Sequence, residues 1–433
     1  MKLTIQNINK IEFAEIKVNG LTVIAGTNDS GKSTVGKTLF SVVKALANST
    51  DNSKAIDDTL NRKLDTLYGS LVELDDFYKT SLNSRLSLRN TFRRLKMQKE
   101  SGATIQRLEQ LADTVENSEF NPSHKASINR QISEIKALIL EGNTPGCMLK
   151  REMQAILEAE FMKSVCSYDT DSSEILFSDE SGNEDFLVKL SQDRITELSG
   201  GNKCFFEDVT LIESPLYLHL IDVLSSARTF NEERNSNDAV FMRFVPQVNY
   251  HIKDIAQKLY NFRFSVANKL FQEDGSGDID TITGGHFGFD EDNKRLFWEK
   301  DQRRFQVVNV ASGIKSFGMM QMLESINCIN EKRILIWDEP ENHLHPEWQI
   351  KLAELLVGMA KKGIPILITS HSPYFIQAIR YFSNKMEMDK FVVYYMADET
   401  SQGTCRMTEY TDDLNTIFYK LAEPMNRIIN LGR

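Results

Sequence analysis

The sequence predicts an α/β fold in which a mainly parallel sheet is covered by helices, with added antiparallel β elements and a helical insertion. Three observations predict it. Short, predominantly apolar strands ("LTVIA", Leu21–Ala25; "ILIW", Ile334–Trp337; "ILIT", Ile366–Thr369) alternate with helix-patterned segments. Strands that are apolar on both faces belong to sheets covered on both sides. A glycine-rich loop, "GTNDSGKS" (Gly26–Ser33), joins the first of these strands to a segment carrying Val35, Leu39, Val42 and Leu46 at helical spacing. Finally, a polar, charged and helix-patterned stretch begins at residue 47.

In chain order, residues 1–46 hold three strands ("KLTIQNI", "AEIKVNG", "LTVIAG") and the start of the helix that follows the glycine-rich loop. Residues 47–205 form the expected insertion. Ile128, Ile132, Ile135 and Ile139 make one apolar stripe in it, and Leu149, Met153, Ile156 and Phe161 another. "NPSHK" (Asn121–Lys125) and "GNTPG" (Gly142–Gly146) divide it into separate helices, and Phe177–Gly182 reads as a turn between short strands. Residues 206–433 return to the sheet, beginning with the buried strand of "DVTLIESP" (Asp208–Pro215). The segment Gly284–Gly313 alternates apolar and polar positions as a β-hairpin does. A helix from Ser312 then places Phe317, Met320 and Leu323 on one face. The strands "RILIWDEP" and "PILITSH", separated by a helix, come next; "KFVVYYMAD", a strand around Arg406 and a terminal helix close the chain.

Composition bounds the function. The 433 residues suffice for two or three domains with a large core. With 61 acids against 51 bases the net charge is −10, which argues against wholesale coating of nucleic acid. Cys147, Cys166, Cys204, Cys328 and Cys405 are scattered without a CxxC pair, the pattern of reduced thiols rather than a zinc site or a disulfide frame. Met1 leads straight into a strand, and no apolar run approaches the roughly 20 residues of a membrane span. The expectation is a soluble, cytoplasmic protein with no membrane partner. One local exception to the acidic balance stands out. From Lys79 to Lys99 there are seven bases and no acid, and Arg85, Arg89, Arg93 and Lys96 share one helix face. Such a stripe contacts a phosphate backbone or an acidic partner, or else is a solvated face bridged to acidic neighbours.

The Gly26–Ser33 loop has the strand–GxxxxGK[ST]–helix context that a phosphate-binding loop requires. Gly26 and Gly31 let the backbone N–H groups of the loop, from Asn28, Asp29 and Ser30 through Thr34, curl around phosphate oxygens, and the helix N-terminus adds positive potential. In this pattern Lys32 reaches the β- and γ-phosphates, and the Ser33 hydroxyl ligates Mg²⁺. Asp338 and Glu339 end a buried strand, where an unpaired carboxylate is expensive. Asp338 is suited to hold Mg²⁺ beside Ser33, and Glu339 to polarise the attacking water as general base. His371, at the end of the Ile366–Thr369 strand, is placed to sense the γ-phosphate. Ser312 and Gly313 open a helix and form a second anion-binding end. Together these residues call for ATP and Mg²⁺.

In order, "GTNDSGKST", "NVASGIKS", "ILIWDEPENHLHP" and "ITSHSP" resemble the Walker A, signature, Walker B with D-loop, and switch-histidine motifs of ABC-type ATPases. The likeness is to the OLD/RecF/SMC branch, and within it to prokaryotic anti-phage defence ATPases such as Septu PtuA, PARIS AriA and the retron-associated ATPases. It covers about residues 1–46 and 280–433, the two parts of an ABC-type P-loop head. The resemblance implies a head-to-tail homodimer with ATP held between Lys32, Asp338 and Glu339 of one subunit and Ser312, Gly313 and Lys315 of the other. Glu341, Asn342 and His343 would belong to the loop crossing that interface. The signature departs from the family pattern: Ile314 stands where a second glycine is usual, and Lys315 follows instead of glutamine. Glu213 takes the place of the glutamine that usually follows the strand after the insertion. His343 and His345 read as interface or turn residues rather than a metal site. Asp398, Glu399, Asp412 and Asp413 are too few for the acidic cluster of a Toprim nuclease, so a separate nuclease or toxin effector is the expected partner. The resemblance thus implies a sensor or regulatory ATPase of a defence system; the alternative is a RecF-like DNA repair or chromosome-maintenance ATPase.

Overall fold

The strands expected to be buried on both faces are so, and they set the plan of the molecule. In the computed structural model the described residues are 1–78, 92, 101–141, 145–168, 170–179, 185–201, 206–229, 247–267, 277–290 and 295–431. Arg85, Arg89, Arg93 and Lys96 lie outside them. The chain divides into two compact units, Met1–Ala47 with Met153–Arg433, and Asn48–Glu152.

The first unit contains strands β1 (Lys2–Ile8), β2 (Ile11–Lys17), β3 (Leu21–Ala25), β4 (Ser172–Ser178), β5 (Phe186–Ser191), β6 (Arg194–Ser199) and β7 (Asp208–Ile212). Then come β8 (Arg228–Thr229), β9 (Gln247–Val248), β10 (His286–Asp290), β11 (Arg295–Lys300) and β12 (Arg303–Gln306). The last four are β13 (Arg333–Trp337), β14 (Ile366–Ser370), β15 (Val392–Glu399) and β16 (Cys405–Glu409). Among the described residues eleven of these form one sheet in the order β6-β5-β4-β1-β2-β16-β15-β3-β14-β13-β7. From β15 to β7 every neighbour is parallel. The register aligns the carboxyl ends: Ala25 opposes Ser370 and Met396, and Trp337 opposes Ile212. The loops after β3, β7, β13 and β14 therefore leave the sheet along one edge, where open α/β sheets bind ligands.

Helices Pro346–Lys361 and Pro373–Lys385 start with proline behind a capping residue, His345 and Ser372. Proline at the first helical position loses no hydrogen bond and has the required φ. Their apolar faces bury Leu352, Leu356, Phe375 and Ile379 against Trp337 and Ile368 in one core. The Ser312–Ser325 helix is buried nearly all round, Phe317, Met320 and Leu323 included.

Two elements differ from the sequence expectation. Residues 47–205 are not one helical insertion in the structure, because the compact helical unit ends at Glu152 and β4, β5 and β6 extend the main sheet. The cause is edge pairing. β1 has β2 on one side only, and β4 fills the other edge with Ile5 opposite Ile175, satisfying backbone groups an open edge would leave unpaired. The expected hairpin at Gly284–Gly313 is a three-stranded antiparallel meander, β10-β11-β12. In the Asn48–Glu152 unit the isoleucine stripe 128, 132, 135, 139 packs with Leu64, Leu67, Leu71, Leu108 and Val115 as one core. No described helix is long and apolar enough to cross a membrane.

A closed ring of buried charge ties the first unit together. Lys44, on the helix Lys32–Tyr78, lies 2.7 Å from Asp208 and 2.6 Å from Asp254. Lys258, on the helix Tyr250–Ala267, lies 2.8 Å from each of the same two carboxylates and donates to the Val209 carbonyl. Burial would raise Asp208, but the two ammonium groups outweigh it and hold the carboxyl down at about 2. Removing one member of such a network leaves a buried charge uncompensated. Lys258→Met is expected to cost about 3 kcal/mol, read as a lower urea midpoint, and adding Asp254→Asn is expected to restore part of it.

Candidate functional site

The Gly26–Gly31 loop turns where only small or permissive residues fit. Asp29 and Gly31 have φ of 62° and 79°, the left-handed region that glycine enters without cost. A Cβ on Gly31 would stand 2.5 Å from Ile11 Cδ1. The Gly26 N–H donates to the Ser370 carbonyl at 3.2 Å, tying the start of the loop to β14. Ser30 Oγ and Lys32 Nζ both donate to the Thr27 carbonyl, at 2.7 and 2.6 Å. Lys32 is thus folded inside its own loop, its side chain 4 % exposed. Burial lowers its pKa, and nearby Glu339, Asp338 and Glu341 work against that. Asp29 is turned outward and pairs with Lys10 at 2.5 Å. Asn28 is exposed, and Thr34 N–H donates to Gly31 O at 3.1 Å as the helix begins.

Strand ends bring the acids to this loop. Ser33 Oγ donates to Asp338 Oδ2 at 2.7 Å, and Thr369 Oγ1 donates to Asp338 Oδ1. Thr369 Oγ1 also accepts from the Glu339 N–H at 3.0 Å, so one threonine of β14 sets both acids of the neighbouring strand end. Glu339 has φ of 46°; a non-glycine residue held there is strained and is maintained by its surroundings. Its Oε2 accepts from Asn342 Nδ2 at 2.8 Å, while Oε1 lies 3.8 Å from Lys32 Nζ and 3.4 Å from His371 Nδ1. Glu341 is buried beneath them. Its Oε1 accepts from Ser370 Oγ at 2.6 Å and the His371 N–H at 3.2 Å, and its Oε2 has no hydrogen-bond partner. The structure therefore brings together Lys32, Ser33, Asp338, Glu339 and His371.

Burial raises Asp338, while hydrogen bonds from Thr369 and Ser33 pull it back and the charges of Glu213 and Glu339 push it up again. A carboxylate so placed gains from a cation. The pairing of a serine hydroxyl with an aspartate is a hard-oxygen donor set that fits Mg²⁺ with its remaining positions on water and phosphate. Ser33 and Asp338 would hold the ion, and Lys32 with the loop N–H groups would hold the phosphates.

Ser312, Gly313 and Lys315 are not part of this cluster. A Cβ on Gly313 would lie 2.9 Å from Leu344 Cδ2 and 3.6 Å from the His343 carbonyl, so this helix start packs on the turn after Glu339. Lys315 is buried, its Nζ 3.5 Å from the Val308 carbonyl, and burial alone lowers its pKa. Glu213, directly after β7, pairs with Lys37 at 3.0 Å and accepts from Tyr217 OH at 3.1 Å. His345 caps the Pro346–Lys361 helix through Nδ1, and no cluster able to hold a metal through three His, Cys, Asp or Glu side chains occurs among the described residues. The sequence reading missed Thr369, and it gave Glu341 and Asn342 a place in the loop crossing the dimer interface rather than their contacts to Ser370, His371 and Glu339. Thr369 carried a usable signal: a hydroxyl at the end of an otherwise apolar strand.

A family model described as AAA ATPase domain (AAA_15) matches residues 1–376. Solved structures similar to the chain include an SMC head domain from Thermotoga maritima, 10% identical, covering 94% of this chain and 97% of that one with a TM-score of 0.40. Another is an Smc head domain with an extended coiled coil bound to the C-terminal domain of ScpA, derived from Pyrococcus furiosus; it is 11% identical over 100% of this chain and 99% of that one, with a TM-score of 0.40. No curated protein matches the chain.

Glu341 gives the site a testable pH signature. Burial lifts its folded-state pKa above the ordinary 4.5, although hydrogen bonds from Ser370 and His371 oppose this. Just above pH 4.5 the unfolded chain releases the proton while the folded one keeps it, so this group's contribution to stability falls as pH rises through that window. Glu341→Gln cannot ionise. Its melting temperature is expected to exceed the wild-type value at about pH 8, the gain shrinking as pH falls to about 4.5, as thermal unfolding across that range would read out.

Proposed function

The chain belongs to the AAA ATPase domain family, and from that premise we propose that Lys32, Ser33, Asp338, Glu339 and His371 form its ATP-hydrolysing centre. The observation that carries this is the 2.7 Å contact between Ser33 and Asp338, with Glu339 3.8 Å from Lys32 and 3.4 Å from His371. A bound Mg²⁺ would neutralise charge developing on the phosphates. Lys32 and the loop N–H groups bind and orient the triphosphate. Asp338, fixed by Thr369 and Ser33, keeps its carboxylate toward the ion position. Glu339, 26 % exposed at the side chain and steered by Asn342, accepts the proton of the attacking water. His371 donates to the γ-phosphate side.

We further propose that the active species is a homodimer in which Ser312, Gly313 and Lys315 of one subunit face the nucleotide of the other. Supporting this is the position of that helix start, which within one chain packs against Leu344 and the His343 carbonyl rather than against Lys32. The regulatory role, control of a separate nuclease or toxin effector in a prokaryotic anti-phage defence system, rests on the resemblance of the four motifs to that branch.

Lys32→Ala is expected to lose ATP hydrolysis together with nucleotide affinity. Glu339→Gln is expected to keep ATP affinity and lower kcat by about 10²–10⁴-fold, measured by phosphate release against nucleotide binding. Wild-type turnover per subunit is expected to rise with protein concentration, since half of each site comes from the partner. A concentration-independent rate removes the dimer, and an unchanged kcat in Glu339→Gln removes the base.

A further inference from the structure

A buried histidine links the proposed nucleotide site to a helix end that the sequence gives no reason to connect with it. His251, near the start of the helix Tyr250–Ala267, has no side-chain exposure, and neither does Glu160. Glu160 is the last residue of the helix Pro145–Glu160. Its carboxylate grips His251 twice: Oε2 lies 2.6 Å from the ring Nδ1, and Oε1 accepts the His251 backbone N–H at 2.6 Å. The Glu160 carbonyl also accepts from Asn249 Nδ2 at 2.7 Å. On its other side, His251 Nε2 lies 3.1 Å from Glu213 Oε2, off the hydrogen-bonding axis.

Glu213 connects this clamp to the site. It follows Ile212, whose carbonyl accepts the Asp338 N–H at 2.8 Å, and its charge acts on Asp338. Its second oxygen pairs with Lys37, one turn beyond Ser33 on the phosphate-loop helix. The carboxylate is 24 % exposed, whereas the groups behind it are sealed. Burial would neutralise the imidazole, but Glu160 and Glu213 outweigh it and push its pKa up to about 9. A carboxylate and an imidazolium sealed in a core, with a second carboxylate at its edge, are costly if their only task is packing, since apolar side chains fill such space at lower cost.

Resting on the reading that Lys32 and Asp338 hold a nucleotide, we propose that His251 is a positioning residue for that site, holding Glu213 beside Asp338 and joining it to the end of the Pro145–Glu160 helix. The charge that a magnesium–nucleotide complex brings to Lys32 and Asp338 changes the pull on Glu213, and the ring transmits that change to Glu160.

The test uses the full chain labelled with ¹⁵N-histidine, which carries seven histidines; the ring signals of His251 are those lost in His251→Gln. Adding ATPγS with Mg²⁺ is expected to move the His251 ring resonances in wild type and leave them in place in Lys32→Ala. In parallel, His251→Gln and Glu213→Gln are expected to lower kcat about tenfold with KM for ATP within about twofold, the behaviour of a supporting group rather than a binding one. Glu213→Gln leaves the Glu160 clamp whole, so it decides the kinetics where His251 variants do not fold. Ring resonances that stay fixed on nucleotide binding overturn the proposal whatever kcat does. So does a Glu213→Gln enzyme within about twofold of the wild-type kcat. If wild type binds ATPγS and fails to hydrolyse ATP, the proposed function falls while the ring shift still decides this inference.

Discussion

One hydrogen bond, from Ser33 to Asp338 at 2.7 Å, joins residues 305 positions apart. The rest of the site depends on it. Closing so long a loop is entropically expensive for an isolated contact. Here the sheet has already made the closure. β3 and β13 flank β14 in parallel register, so their carboxyl ends emerge side by side before any side chain is chosen. The serine needs only to stand at the second position of the helix and the aspartate one residue past its strand. Thr369 then sets the carboxylate, using the strand between them. A backbone constraint is in this way converted into side-chain geometry.

Two buried charge clusters in the same unit show how differently charge is handled. The ring of Lys44, Lys258, Asp208 and Asp254 is balanced, two cations to two anions, with each carboxylate touched by both lysines. It fixes the phosphate-loop helix to the start of β7 and holds Asp208 ionised. The cluster at the sheet edge is unbalanced. Lys32 faces Asp338, Glu339 and Glu341, and burial raises Asp338 and Glu341. The rigid ring supplies the preorganisation, and the open cluster keeps the unspent electrostatic potential. A cation and a phosphate chain would complete it with little movement of the protein, which is what preorganised sites require.

What was legible in the sequence follows from how local each signal is. The strands Leu21–Ala25, Arg333–Trp337 and Ile366–Ser370 are readable because burial on both faces forces runs dominated by apolar residues. The loop is readable because Gly31 must adopt positive φ against Ile11, a demand met at one position by one residue type. Pairing choices are not local. Nothing within Ser172–Ser199 says that its strands will extend β1, since any amphipathic strand could occupy that edge. The Glu160–His251–Glu213 chain was illegible for the same reason: its members lie on three elements, with Glu160 and His251 91 residues apart, and although Glu213 stood out by its place after a strand, Glu160 and His251 look like ordinary polar residues near helix ends. Glu341 was legible as a residue and not as a buried one, because its burial comes from Ser370 and the backbone of His371 on another strand.

The turn from Glu339 to Leu344 carries more of the architecture than its length suggests. Asn342 N–H donates to the Glu339 carbonyl and Leu344 N–H to the Glu341 carbonyl, so the turn is a chain of short internal bonds with His343 at φ of 64°. Glu339 leads into this rigid piece beside Lys32, and Leu344 ends it against Gly313. A Cβ on Gly313 would stand 2.9 Å from Leu344 Cδ2, and Trp348 packs edge-on to Phe317 one turn further along the same helix. A displacement of the Glu339 backbone is therefore resisted by the bonds within the turn. The far end of the turn rests on the Ser312 helix start through Leu344. By this turn the Glu339 carboxylate and the start of the Ser312–Ser325 helix are joined through one hydrogen-bonded element.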